Sequence, residues 1–273
     1  MSARPCPNCG QPVSAWARYC VSCGGTLDLI DAGTAPTSEA GSSDRCAVPW
    51  RARAGIPIQV LALVVTALVG VPIAILVEDR DLVTMIGIVV NETALAGIVL
   101  LWVRALHRAD YEVLGLRGFT RENVILGLKT AGFGLAAAYG AGIVVTQAIE
   151  RVTGRPVEQP EQIPLQNAPG GWSLVLIALG VVILAPIAEE IFFRGFVYRA
   201  LRRWAEPWPA TFLSAAIFAV AHFIPLVMPP IFVLGILLAR VVERRDSLVP
   251  AIFAHMVFNA VGFIFQFVLV SRA

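Results

Sequence analysis

Beyond residue 54 the chain reads as long apolar runs, separated by short stretches that carry arginine, proline or small polar residues. Apolar segments lie near 56–77, 82–106, 122–149, 172–203, 209–224, 226–241 and 248–269. About 20 helical residues at a rise of about 1.5 Å span the hydrocarbon of a bilayer. The pattern therefore predicts an all-α polytopic membrane domain of about seven apolar helices over residues 55–273. The fifth and sixth segments are short, and Pro225, Pro229 and Pro230 fall between or at the start of them, so this pair is expected to form a hairpin that does not fully cross. The fourth is too long for a simple crossing. Its end, with Arg199, Arg202, Arg203 and Trp204, is expected to emerge as an amphipathic continuation, with Trp204 and Trp208 at the interface.

The first residues follow a different pattern. Cys6-Pro7-Asn8-Cys9-Gly10 and Cys20-Val21-Ser22-Cys23-Gly24 are two C-x2-C knuckles, each followed by a glycine that lets backbone amides fold toward thiolates. Four soft ligands in this pairing suit tetrahedral Zn2+, so Cys6, Cys9, Cys20 and Cys23 are candidate ligands of a structural zinc ribbon over residues 1–28. Two disulfides are the alternative. A ribbon this short has almost no core, and metal binding would supply its folding energy. Arg4 and Arg18 make no basic patch, which argues against nucleic acid as a partner. Residues 29–54 are rich in small polar residues and turn formers and read as a flexible linker. Cys46 is left over as a spare thiol. No signal peptide is evident, because the apolar run begins too late and lacks a cleavage site at the right distance.

Composition agrees with the hydropathy pattern: 57% of the 273 residues are hydrophobic and 15% charged, with a mean hydropathy of +0.75. That is more apolar surface than a soluble fold of this length can bury. Lys129 is the only lysine among 21 basic residues, a bias that suggests a high-GC, prokaryotic coding sequence. If the amino terminus is cytoplasmic, Arg45, Arg51, Arg53, Arg104, Arg108, Arg117, Arg121, Arg199, Arg202, Arg203, Arg240, Arg244 and Arg245 share its side, against Arg80, Arg151, Arg155 and Arg272 opposite. The expected location is a prokaryotic plasma membrane, with the lipid bilayer as first partner and the amino terminus in the cytoplasm.

Against this apolar background the chemistry stands out. Glu189, Glu190 and Arg194 lie inside the fourth apolar run, where ionisable groups are costly and mark functional sites. Two of the three histidines follow, His222 four residues after Phe218 and His255 four residues before Asn259. Glu190 and Arg194 have the favourable order for a helical ion pair. Glu189, about 100° further round, is left to face a cavity. A carboxylate, two imidazoles and an amide from three helices form the inventory for activating a water: a base, a group to orient it, and an oxyanion donor. Each has a structural alternative, as a packed histidine, an internal ion pair or an interhelical bridge. Lys129 is placed to snorkel, and Glu92, beside Asn91 in the second span, has no partner identifiable in the sequence. If the fifth segment starts near Pro209, His222 lies about 20 Å along it, deeper than Glu189 and His255.

The motifs Glu-Glu-x-x-x-Arg (Glu189, Glu190, Arg194), Phe-x-x-x-His (Phe218, His222) and His-x-x-x-Asn (His255, Asn259), in this order on successive apolar segments, resemble those of the CPBP family. These are the CAAX-processing and bacteriocin-processing intramembrane proteases, also called the Abi family. The resemblance covers about residues 110–269, with Leu114-Gly115-Leu116-Arg117 similar to a lead-in of such domains. It implies an all-helical membrane endopeptidase in which Glu189 activates water, His222 and His255 assist, Asn259 helps form the oxyanion hole, and Glu190 and Arg194 support. The substrate would be a membrane-associated protein or peptide precursor, and the ribbon could recruit a protein partner. Two histidines and a glutamate could instead hold a catalytic Zn2+. The rival class is a non-catalytic scaffold or immunity factor, or a small proton-coupled transporter using the same pocket, although the inverted repeats typical of transporters are not visible.

Overall fold

The computed structural model describes residues 3–6, 10, 12–14, 48–157, 172–203 and 205–270. Within the amino-terminal segment, two three-residue strands, β1 (Ala3–Pro5) and β2 (Pro12–Ser14), pair antiparallel with Ala3 opposite Ser14. Gly10 between them has φ +73°, the left-handed region that glycine adopts without a steric cost. Its N–H donates to the Cys6 carbonyl at 2.9 Å. Cys6 is buried. Cys9, Cys20, Cys23, Cys46 and Trp204 lie outside the described residues.

Seven helical segments then follow the expected runs. They are α1 (Gly55–Leu76), α2 (Arg80–Leu101), α3 (Arg121–Thr153), α4 (Leu174–Leu201), α5 (Pro207–Val220), α6 (Met228–Arg245) and α7 (Val249–Val270). Their ends follow local chemistry. The Asp79 carboxylate caps α2 by accepting from the Asp81 and Leu82 amides, each at 3.0 Å, and the Thr120 hydroxyl caps α3. Gly154 closes α3 with φ +67°.

Five of these helices are long and apolar enough to cross a bilayer, and α1 in particular exposes Ile56, Leu68, Ile75 and Leu76. The chain is a multi-pass membrane protein. The 14-residue α5 is about 21 Å long at helical rise, short of the hydrocarbon thickness. It packs along α6, whose first turn carries Pro229 and Pro230. Close packing elsewhere is set by small residues: a Cβ on Gly127 of α3 would stand 2.7 Å from the Pro250 carbonyl oxygen and 2.8 Å from Phe253 Cβ of α7.

Three features differ from the sequence expectation. The fourth helix is not uniformly α: two wide π segments interrupt it, Gly180–Leu184 and Glu190–Tyr198, and such segments concentrate at functional sites. Residues 48–54, expected to belong to the linker, are built into the membrane domain. Trp50 is 2% exposed, stacks on Phe196 with ring centroids 4.9 Å apart, and donates its indole N–H to the Phe196 carbonyl at 3.0 Å. Arg203 donates to the carbonyls of Pro49 and Trp50 and clamps the segment there.

The end of α4 also differs, because it is buried where a water-facing continuation was expected. Arg202 bonds the Glu243 carboxylate at 3.2 Å while the Tyr198 hydroxyl donates to the same carboxylate at 2.8 Å. Arg199 pairs with Asp246 at 2.7 Å, and Arg117 joins it. Carboxylates from the end of α6 neutralise these arginines, so burial is possible where isolated cations would have to face water.

Candidate active site

The first π segment of α4 ends just before Ala185, a short α stretch carries Glu189, and the second π segment begins at Glu190. Both Glu190 and Arg194 are fully buried. Arg194 Nη1 donates to Glu190 Oε1 at 2.8 Å, Nη2 donates to the Gly235 carbonyl of α6 at 3.3 Å, and the guanidinium lies over the Phe218 ring at 4.1 Å. Gly235 is needed for this approach: a Cβ there would meet Ala215 Cα at 3.0 Å and Arg194 Nη2 at 3.4 Å.

From α7, His255 Nδ1 meets the same Glu190 Oε1 at 3.0 Å. An ionised carboxylate can only accept, so Nδ1 carries the hydrogen, and Nε2 points the other way. It lies 3.7 Å from Glu189 Oε2, too far for a hydrogen bond. That Glu189 oxygen is buried and has no hydrogen-bond partner among the described residues. The Glu189 side chain as a whole retains 18% exposure, so it faces an opening and not a sealed core.

Phe218 of α5 ties the remaining pieces together. Its ring meets Phe193, His222 and His255 edge to face, with centroids 4.9, 5.0 and 5.6 Å away. His222 was expected on an apolar helix, four residues from Phe218. It lies in the turn just past the end of α5, where Nδ1 bonds the Phe218 carbonyl at 2.9 Å. Although His222 is 15 residues from the start of α5, it and His255 both meet the Phe218 ring.

Asn259 donates its amide to the Val181 carbonyl at 2.9 Å, inside the first π segment. The structure thus brings Glu189, Glu190, Arg194 and His255 into one cluster, attaches His222 through Phe218, and anchors Asn259 to the same helix about two turns before Glu189. Neither His222 nor Asn259 hydrogen-bonds Glu189 directly among the described residues.

No group of three or more His, Cys, Asp or Glu side chains among the described residues is arranged to hold a metal ion. Glu190 Oε1 is engaged by Arg194 and His255, while Glu190 Oε2, like Glu189 Oε2, is buried with no hydrogen-bond partner among the described residues. Lys129 is exposed on α3.

Glu92 belongs near this site although its sequence context named no partner. It is 7% exposed, on the face of α2 that also buries Leu95 and Val99, and α2 packs against the part of α4 that bears Glu189. The signal available in the sequence was the i, i+3, i+7 spacing of these three residues, which marks an inward face.

Residues 171–261, about a third of the chain, match a family model described as Type II CAAX prenyl endopeptidase Rce1-like. No curated protein and no solved structure matches the chain. The matched stretch contains all six of the residues Glu189, Glu190, Arg194, His222, His255 and Asn259, and it supports the CPBP resemblance and a CAAX-type intramembrane protease.

Proposed function

We propose that the protein is an intramembrane endopeptidase that hydrolyses a peptide bond of a membrane-associated protein or peptide precursor, using a water activated by Glu189. The observation that carries this reading is the unpartnered, buried Glu189 Oε2 facing His255 Nε2 at 3.7 Å. A buried carboxylate oxygen without a donor is costly. One water donating to both atoms would satisfy it, and would be the water held for attack. Glu190 and Arg194 do not touch that water. They fix the His255 ring, so that in the neutral ring Nε2 is the acceptor facing Glu189.

The reaction follows from these positions. Glu189 takes a proton from the water as its oxygen bonds to the scissile carbonyl carbon, and the carbonyl oxygen becomes an oxyanion. The second amide hydrogen of Asn259 is the donor assigned to that charge; His222, whose Nδ1 hydrogen goes to the Phe218 carbonyl, donates to it from Nε2 only as an imidazolium. Glu189 then returns the proton to the amide nitrogen as the C–N bond breaks, giving a carboxylic acid and an amine. Glu189 is the base, His255 orients the water, and Glu190 with Arg194 position His255.

The substrate is a polypeptide held at the membrane, because the site lies among helices that only lipid surrounds. The arginine distribution supports a cytoplasmic amino terminus in a prokaryotic plasma membrane. Cys6, Cys9, Cys20 and Cys23 are proposed to hold one structural Zn2+, a reading supported by the spacing of the two C-x2-C pairs. The ribbon would serve as the docking element for a protein partner.

Labelling of newly formed protein amino termini in membranes tests the activity. Membranes of cells producing the wild-type chain should contain termini that are missing when Glu189→Gln replaces it. Identical terminus sets from the two would refute proteolysis.

A further inference from the structure

The second span holds a carboxyl group that nothing in the scheme above uses. One oxygen of Glu92, Oε1, accepts from the Asn91 amide at 2.9 Å. The Thr66 hydroxyl of α1, whose single hydrogen has its shorter bond to the Ala62 carbonyl at 2.8 Å, lies 3.3 Å from the Asn91 oxygen. The Asn91 amide fixes the orientation of the carboxyl group. The other oxygen, Oε2, is buried without a hydrogen-bond partner among the described residues. α2 packs against the Ala185–Glu189 stretch of α4. Two packed helices that each carry a carboxyl group with a buried, unpartnered oxygen are suited to holding water between them.

We propose that Glu92 is a positioning residue of the hydrolytic site, its unpartnered oxygen and that of Glu189 together holding the water that Glu189 activates. The inference rests on the hydrolytic reading. In this role Glu92 brings α2, which lies outside the matched stretch, into the site.

The test uses the full chain in lipid nanodiscs, with Glu92→Gln, Glu92→Leu, Glu189→Gln and the two double variants carrying Glu189→Gln. On a membrane-anchored peptide that wild type cleaves, Glu92→Leu should lower kcat roughly tenfold to a hundredfold, as for a small misplacement of a reacting group, with KM little changed. Glu92→Gln keeps an oxygen and should restore most of the loss. A merely structural role would lower Tm and leave this split unmoved.

Thermal unfolding supplies a readout independent of catalysis. If the two carboxyl groups hold one water between them, the changes in Tm from replacing either should not add. Additive shifts would overturn the shared pocket. Full kcat in Glu92→Leu, with an active wild type, would overturn the positioning role alone. A wild type that cleaves no peptide would overturn the hydrolytic reading and this proposal with it.

Discussion

Arg194→Met removes the cation from a fully buried pair while filling most of its stem volume. The structure shows what is then left. Glu190 keeps the His255 Nδ1 hydrogen at 3.0 Å but loses Arg194 Nη1 at 2.8 Å, and the Gly235 carbonyl loses its donor. Breaking a buried pair from one side costs about 3–5 kcal/mol, since the remaining charge is uncompensated. At about 2–4 °C per kcal/mol for chains of this length, Tm should fall by roughly 6–20 °C. Replacing both partners, as in Glu190→Leu with Arg194→Met, should recover most of that loss, because two apolar side chains leave no orphaned charge. Activity should stay lost in the double variant, since nothing then holds the His255 ring. Fluorescence-monitored unfolding of detergent-purified protein, beside a cleavage assay, measures both. A double variant no more stable than Arg194→Met, or one that regains turnover, would refute the reasoning.

Three further outcomes are expected. Trp50→Ala removes a buried indole stacked on Phe196 and should cost about 3–5 kcal/mol, and truncation to residue 47 should leave Tm unchanged while truncation to residue 54 lowers it; equal Tm for the two truncations would contradict the packing of residues 48–54. Freshly purified, reduced protein should contain one zinc per chain by elemental analysis, lost when Cys6 and Cys9 are both replaced by serine, and zinc-free wild type would remove the ribbon proposal. An impermeant thiol reagent applied to intact cells should leave a cysteine introduced at Arg244 unmodified, whereas labelling from outside would reverse the orientation.

The seven helices were legible because lipid imposes one requirement everywhere: backbone groups must be satisfied within a helix and side chains must be apolar. Runs such as 56–77 and 248–269 carry that requirement plainly, and α1 and α7 follow them closely. The Glu190–Arg194 pair was legible for a similar reason, since spacing alone sets it. The π segments were not. Their widening depends on what neighbouring helices offer: Val181 and Phe196 each have a carbonyl within such a segment that accepts from another element, Asn259 and Trp50. The buried arginines Arg199 and Arg202 looked water-facing because their partners, Asp246 and Glu243, lie more than 40 residues away. Glu92 stayed unassigned for the same cause: its neighbour Glu189 is distant in sequence, and only the packing of α2 on α4 brings them together.

The central claim is that Glu189 is the base that activates water. Its most direct test is the cleavage rate of a membrane-anchored peptide by purified wild type and Glu189→Gln in nanodiscs, each checked for monodispersity and Tm, with Lys129→Met as an exposed control. The substitution keeps the side-chain shape and removes the proton acceptor. The account predicts a fall of about 10²–10⁴ in rate for Glu189→Gln, with a folded protein and an unaffected control. Cleavage by Glu189→Gln at the wild-type rate would contradict it.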